Sequence, residues 1–522
     1  MHFQIKLRFA FVALGALTFS SESSAQPVTT IITHGYSLDA TKGPWVEAMA
    51  EAILARAGGG GAVCRYNQAT GGWQLVNGTI DKAEPIVLIA RWLNDFEKAG
   101  PNWFFAEGAA DALHAALRDA SFEDAGGATI GGFDLLTDRA VHFIGHSRGP
   151  CVNSEITRRL GLAGIPIDQV TTMDPHPVDG TLDAPFAFDW GDPTPVRWSN
   201  VAWADNYWRA DGGGLIAGLD FDGIPLANTF NTQLSESVLD CCAYSLAHSD
   251  THLWYHGTID LAPNPCDGEQ CITAQMRMTW WPAPGFALTG YFYSVIGGGS
   301  AMRPLVPPGV DPPPVAAPFN GSFDQASQSG WLYHGGSLSG QIALQSGNGV
   351  LRLGAGLGPS ATHNRFILEP DHGVLNFSYR VTTADADDVL RVSLIDAAGT
   401  GTELAAIPLN ATIGWTTHSA TVSASIERDR QYRLRFQIDS GVALGAIVEI
   451  DDILLEPPDT IPADINGDGV VNGLDLGILL ANWSIPPGSP GCGGAPGGCP
   501  ADLNGDGVVD GLDLGILLAN WS

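Results

Sequence analysis

The run Ala140-Val-His-Phe-Ile-Gly145-His146-Ser147-Arg148-Gly149 ends a short apolar, strand-like segment in a G-x-S-x-G pentapeptide centred on Ser147. A serine in that setting sits on a sharp strand-to-helix turn in a strained backbone conformation, and Gly145 and Gly149 leave room for the adjoining strand and helix. The pattern predicts a strand from Val141 to Gly145 and a helix from about Asn153 to Leu160, with the Ser147 hydroxyl raised at the turn between them. With 65 glycines in 522 residues the pentapeptide alone carries little weight, and the ordered elements around it carry the argument.

A nucleophilic serine needs a base and an acid that orients the base. Gln169-Val-Thr-Thr-Met-Asp174-Pro175 reads as the next parallel strand, ending in a carboxylate where function collects in open α/β sheets. Asn200-Val-Ala-Trp-Ala-Asp205-Asn206-Tyr207 is also a strand ending in an acid, so Asp205 stays open as the alternative. Farther on, three histidines, His248, His252 and His256, open an amphipathic segment that Ser249 can cap. His248 precedes that cap, as a loop-borne base should, and is preferred. His252, the alternative, and His256 are spaced i, i+4 along one helical face. No Glu completes an H-E-x-x-H zinc signature there.

Near the start, Thr29-Thr-Ile-Ile-Thr-His34-Gly35-Tyr36 is a strand followed by His-Gly. Together with Gly-His-Ser-Arg-Gly, Met-Asp-Pro and a late histidine, it makes residues 26–303 resemble a secreted α/β-hydrolase of the lipase and carboxylesterase type, a parallel sheet flanked by helices. The resemblance implies an oxyanion hole from the backbone N–H groups of Tyr36 and Arg148, usually worth ~3 kcal/mol per donor, with His34 walling it. It also favours Asp174 over Asp205, because the short Ser-to-Asp interval is similar to that of animal lipases. It implies ester hydrolysis through an acyl-serine with no cofactor in the catalytic site.

Lys6 and Arg8, the apolar stretch Phe9 to Phe19 and the small residues Ser23-Ser-Ala25 read as a signal peptide over 1–25. The expected protein is secreted, without a transmembrane segment, in a disulfide-permissive compartment. Cys266 with Cys271, and Cys492 with Cys499, bracket short loops and suit local bridges; Cys64, Cys151, Cys241 and Cys242 show no obvious pairing. The 25 Lys and Arg against 56 Asp and Glu leave a formal charge of −31, which argues against nucleic acid as a partner.

Pro304 to Pro318 reads as a stiff, polyproline-like spacer. From 319 to 457 the period becomes that of a β-sandwich, in alternating runs such as Val374-Leu-Asn-Phe-Ser-Tyr-Arg and Tyr432-Arg-Leu-Arg-Phe-Gln-Ile. Its last strand, Ala446 to Glu456, resembles the closing strand of carbohydrate-binding jelly rolls. Trp331, Tyr333 and Trp415 could stack on a sugar or pack in the core.

The tail, 460–522, holds two 22-residue copies, Ala463 to Ser484 and Ala501 to Ser522, which differ only at Ile465/Leu503 and Asn472/Asp510. Asp464, Asn466, Asp468, the Val470 carbonyl, Asn472 and Asp475 fall at positions 1, 3, 5, 7, 9 and 12 of a calcium loop, and Asp502, Asn504, Asp506, Val508, Asp510 and Asp513 repeat the set. Asp rather than Glu closes each loop and no helix precedes it, features in which the pair resembles a type I dockerin. That resemblance implies two calcium ions and a cohesin-type partner, accepted in either of two orientations. Leu474, Leu476, Ile478, Leu479 and Trp483 are expected to pack on their counterparts Leu512, Leu514, Ile516, Leu517 and Trp521.

The whole reads as a multidomain secreted serine hydrolase acting on carboxylic esters, tethered by its tail. The alternative is an inactive adhesion or assembly protein that uses the β-sandwich and the tail for binding.

Overall fold

The computed structural model describes residues 27–35, 44–92, 106–179, 191–210, 222–234, 236–239, 243–244, 247–281, 288–323, 330–334, 342–345, 348–441, 443–457, 463–466, 471–484, 499–504 and 507–521. The signal peptide, Tyr36, Cys241, Cys242, Cys492, Asp468, Val470 and Asp506 lie outside the described residues. No helix among the described residues is long and apolar enough to cross a membrane.

Apolar runs bounded by Gly, Asp and Pro build one sheet from β1 (Val28–Thr33), β2 (Ala62–Asn67), β3 (Gly72–Gly78), β4 (Ile86–Ala90), β5 (Phe122–Glu123), β6 (Thr129–Gly131), β7 (Ala140–His146), β8 (Ile167–Met173), β9 (Val201–Trp208) and β10 (Phe230–Gln233). The spatial order is β10-β9-β8-β7-β1-β4-β2-β3-β5-β6. From β10 to β2 every neighbouring pair is parallel. All six residues of β1 are buried, as a central strand covered on both faces requires.

Two helices, α2 (Ala106–Arg118) and α3 (Gly149–Leu162), cover one face, where Leu113, Val152 and Ile156 join Ile31 in a core. On the other, α1 (Trp45–Arg56) and α5 (Ala247–Ile259) bring Met49, Ile53, Leu253 and Trp254 against Ile32. The alternation of Ile31 and Ile32 between two cores follows from the period of two of a strand. Short helices α4 (Glu236–Leu239) and α6 (Ala274–Trp280) flank α5. Since β1 pairs with β4 on one side and β7 on the other, the chain reverses its winding at the carboxyl ends of β1 and β7, where such sheets open a crevice.

The second unit has two antiparallel sheets. One is β11 (Trp331–His334), β14 (Ser360–His363), β20 (Arg430–Ser440), β17 (Asp388–Ile395) and β18 (Gly401–Pro408), with β15 (Phe366–Leu368) also on β20. The other is β12 (Ile342–Gln345), β13 (Asn348–Gly354), β21 (Ile447–Glu456), β16 (Val374–Thr383) and β19 (Ile413–Thr421). Leu351, Phe377 and Ile450 of one sheet meet Val392, Leu434 and Phe436 of the other in a shared core. Trp331, a candidate for stacking on sugar, is instead core: it is 1% exposed and its indole N–H donates to the Asn320 carbonyl at 3.2 Å. Trp415 is exposed, with the Arg380 guanidinium 5.0 Å from its ring.

The Pro-rich segment, expected as a stiff spacer between the two units, is packed on the first of them. It lies along the first unit, where Trp203 Nε1 donates to the Pro304 carbonyl at 3.0 Å, Ser199 N to Val310 O at 2.7 Å and Arg158 Nε to Pro313 O at 2.9 Å. Arg197 also donates to Pro307 O. Proline removes a donor from the chain but leaves every carbonyl, so such a segment is a row of acceptors that neighbouring donors can fill. The two units also touch directly, through Asn364 Nδ2 to Gly108 O at 2.5 Å and the ion pairs Arg118–Asp429 at 2.6 Å and Arg430–Asp119 at 2.7 Å.

In the tail, α7 (Gly473–Ala481) and α8 (Gly511–Ala519) pack around Ala463, Val471, Leu479 and their repeats Ala501, Val509 and Leu517. Leu474 and Leu512, expected in the pairing face, are exposed, as are Leu480, Leu518 and Trp521. A nine-residue helix buries one narrow stripe, and Leu479 and Leu517 occupy it.

Candidate active site

Ser147 follows the last residue of β7 with φ 61°, a left-handed conformation that costs a non-glycine residue ~1–3 kcal/mol and persists only where its surroundings enforce it. They do so here: Ser147 N donates to Met173 O at 3.0 Å and Ser147 O accepts from His176 N at 2.9 Å. Gly149 lets α3 start at the turn, because a Cβ there would lie 2.3 Å from Thr33 O. The helix therefore begins four residues before the expected Asn153, with Pro150 in its first turn, a position that needs no N–H partner.

One strand over, Asp174 follows the last residue of β8 with φ 47° and is fully buried. Its Oδ2 accepts from His248 Nδ1 at 2.7 Å and its Oδ1 from the Arg209 backbone N–H at 2.9 Å, with Arg209 Nε 3.3 Å from Oδ2. α5 starts at Ala247, ahead of the expected cap at Ser249, so His248 lies in its first turn. Its carbonyl accepts from His146 Nε2 at 2.9 Å and Thr251 Oγ1 at 2.7 Å, which ties the start of α5 to the residue before Ser147. The two rings lie 4.6 Å apart. Burial pushes the Asp174 carboxyl up to about 8, against the pull of the Arg209 guanidinium and N–H. Burial likewise holds His248 well below the ordinary imidazole range. The pair shares one proton, and the donors from Arg209 favour leaving it on the imidazole Nδ1.

The two alternatives are engaged elsewhere. Asp205 sits within β9, where Oδ1 accepts from Thr171 Oγ1 at 2.6 Å and Gln169 Nε2 at 3.1 Å, and Oδ2 from Tyr207 OH at 2.8 Å. His252 stacks on Trp45 at 4.4 Å and has Nδ1 3.4 Å from Asp267 Oδ2. Sequence reasoning missed Arg209 and His176, which stand in no motif, and His146, which lies inside the serine pentapeptide but at its variable second position.

His34 and Gly35 close the other side. The His34 carbonyl accepts from Trp92 Nε1 at 2.8 Å, and its Nδ1–H donates to Gly35 O at 2.8 Å. A Cβ on Gly35 would lie 2.3 Å from Ser147 Cβ and 2.8 Å from Ser147 Oγ, so only glycine lets this loop approach the serine. We expect Gly35→Ala to fold and yet lose at least ~10²-fold in kcat, as displacement of a reacting group by about an ångström does. An ester assay checks this, with circular dichroism as the folding control. Arg148 caps α3. Its buried guanidinium forms a fork with Asp192, Nε–Oδ2 2.5 Å and Nη2–Oδ1 2.5 Å, beneath Trp92. Its side chain is thus a structural brace, and any part in an oxyanion hole belongs to its backbone N–H.

Cys266 and Cys271 are bridged, whereas Cys64 and Cys151 are buried thiols. Cys499 is disulfide-bonded.

In the tail, the closing carboxylates fold back over their own loops. Asp475 Oδ1 accepts from Ile465 N at 2.8 Å and Asn466 N at 3.0 Å, and Oδ2 from Asn472 N at 2.9 Å. Asp513 repeats this on Leu503 N, Asn504 N and Asp510 N at 2.7, 3.1 and 2.8 Å. Each closing carboxylate thereby pins the backbone at positions 2, 3 and 9 of its loop, and the loops carry hard oxygen donors in Asp464, Asn466, Asn472 and Asp475, then Asp502, Asn504, Asp510 and Asp513.

Residues 462–520 match the dockerin type I domain family, so the chain carries a C-terminal dockerin module. No curated protein matches the chain. Among solved structures it is similar to a non-crystalline cellulose specific carbohydrate-binding module, CBM28, at 14% identity, covering 28% of this chain and 96% of that one with a TM-score of 0.22. It is also similar to TmCBM61, solved with β-1,4-galactotriose, at 12% identity, 28% and 99% coverage and a TM-score of 0.20. A third is the K1 cleaved adhesin domain of Lys-gingipain from Porphyromonas gingivalis, at 15% identity, 22% and 78% coverage and a TM-score of 0.18.

Proposed function

We propose that the N-terminal unit is a serine hydrolase of the α/β-hydrolase type that cleaves carboxylic esters, with Ser147, His248 and Asp174 as its triad. The observation that carries the reading is the pairing of a strained Ser147 at a sheet switch point with a buried Asp174–His248 hydrogen bond of 2.7 Å. His248 takes the Ser147 proton as Oγ attacks the ester carbonyl, and the tetrahedral oxyanion faces the backbone N–H of Arg148 at the positive end of α3. Collapse expels the alcohol, which receives the proton from His248. Water, deprotonated by the same base, then frees the acid from Ser147. Tyr36 N–H completes the oxyanion hole by the family resemblance.

A chain-length series of p-nitrophenyl esters tests this reading and identifies the acyl group. Because His248 must be neutral to accept the proton and burial lowers its pKa, kcat/KM should hold as pH falls and decline only below ~6.5, the ordinary histidine value. A limb centred near 8 would instead identify Asp174 as the titrating group. It would leave His248 without an ionised partner at neutral pH.

The dockerin anchors the enzyme to a cohesin-type protein, outside the cell if 1–25 acts as a signal peptide. Asp464, Asn466, Asn472 and Asp475, with their repeats, would hold calcium, which neutralises the clustered carboxylates and turns binding energy into folding energy. We expect the helicity of a chain segment from Pro457 to Ser522 to rise with calcium and fall with chelator. Helicity unmoved by either would contradict this. Exposed Leu474, Leu480, Leu512, Leu518 and Trp521 form the docking face.

A second reading, an assembly or adhesion protein without catalysis, is favoured by the dockerin being the matched family of this chain. It requires Ser147 to be inert.

A further inference from the structure

Between the two large units lies a cavity of about 330 Å³, walled by α2 and α3 on one side, the loop after β15 on the other and residues 314–317 of the Pro-rich strap. It borrows Arg159 and Leu162 from the far end of α3, whose first turn follows Ser147, and its lining contains none of Ser147, Asp174 and His248. A volume at the lower end of the ~300–1,000 Å³ of small-molecule sites suits one or two sugar rings.

The chemistry of its wall selects the ligand. Arg159 gives Nε to Asp111 at 2.7 Å and Nη1 to Glu155 at 2.8 Å, while its buried Nη2 has no hydrogen-bond partner among the described residues. His114 Nε2 is buried in the same condition, and burial keeps this ring neutral by holding its pKa well below the ordinary value. His372 accepts the Glu369 N–H on Nδ1 at 3.0 Å, which leaves its Nε2–H as a donor. Asp371, at the exposed rim, supplies acceptors. Phe366, Leu162 and Pro314 contribute apolar surface.

An anion would meet Asp111, Glu369 and Asp371, and a cation would meet Arg159, so a charged ligand gains little. A neutral polyol can donate to the carboxylates, accept from Arg159 and the imidazoles, and lay its C–H face on the apolar wall. We propose that this interdomain cavity binds a neutral mono- or disaccharide, and that the strap and both units form one binding unit. The site is separate from the exposed Trp415 face of the sandwich.

The full mature chain with calcium is titrated with glucose, xylose, cellobiose and xylobiose by saturation-transfer NMR and calorimetry, with citrate and spermidine as charged controls. We expect at least one saccharide to bind. Its affinity should fall at least tenfold both in His372→Ala, which removes a donor, and in Leu162→Trp, which fills the cavity from its exposed edge. Circular dichroism confirms folding, and if His372→Ala unfolds, Leu162→Trp decides. The proposal is overturned if no saccharide binds, if only citrate or spermidine binds, or if saccharide binding survives Leu162→Trp unchanged. Because the readout is binding and not turnover, its failure leaves the hydrolase reading untouched, and the converse also holds.

Discussion

Replacing Ser147 with alanine should reduce ester turnover by at least ~10⁴ in kcat while leaving the fold intact, because the reaction then loses its only nucleophile and keeps at most binding and oxyanion stabilisation. The stability effect should be small. Ser147 holds φ 61° at a cost its neighbours must offset, and alanine neither relieves that strain nor adds to it appreciably, while Gly35 still meets only a Cβ at this position. A loss of activity accompanied by unfolding would point to a structural serine. Undiminished turnover would place the esterase chemistry elsewhere or exclude it.

The second large effect separates the two acids. Asp174→Asn should cost ~10⁴ in kcat, since an amide cannot hold the His248 tautomer that presents Nε2 as acceptor. Asp205→Asn should cost less than ~10-fold in kcat and be felt mainly in stability. Its carboxylate accepts three hydrogen bonds inside the sheet, and an amide can keep only some of them. Among the histidines, His248→Ala should cost at least ~10³ in kcat. His252→Ala should loosen the stack on Trp45 with far less effect on the chemical step. Reversal of either ranking would move the role to the other residue.

What was legible in the sequence had a local cause. The strand ends at Ser147 and Asp174, and the oxygen donors of the calcium loops, are spelled by short runs whose chemistry and spacing coincide. The fit of Gly35 against Ser147, and the brace from His146 to the His248 carbonyl across 102 residues, come from packing that no run of residues encodes. Arg209 reaches Asp174 for the same reason: it follows β9, and only the parallel alignment of β9 with β8 brings it there.

Thirteen residues after the strap ends, Trp331 could be read as a sugar platform, but an aromatic in a sandwich more often packs in the core, and the sandwich buries it. The prolines of the strap read as an extended spacer, yet their carbonyls serve Arg158, Arg197 and Trp203. A periodic reading of the duplicated helices also could not tell which leucines pack inward, because each helix is almost uniformly apolar apart from Asp475 or Asp513.

The most direct measurement on the central claim is covalent. The mature protein is treated with a fluorophosphonate, digested and mapped by mass spectrometry, with His248→Ala in parallel. An activated serine hydroxyl attacks phosphorus and displaces fluoride, and an ordinary surface serine does not. A Ser147–His248–Asp174 triad gives a single adduct, on Ser147, formed at least ~10²-fold more slowly in His248→Ala because the base is gone. A protein that takes up no label at Ser147, or takes it up at the same rate without His248, is not the hydrolase proposed here.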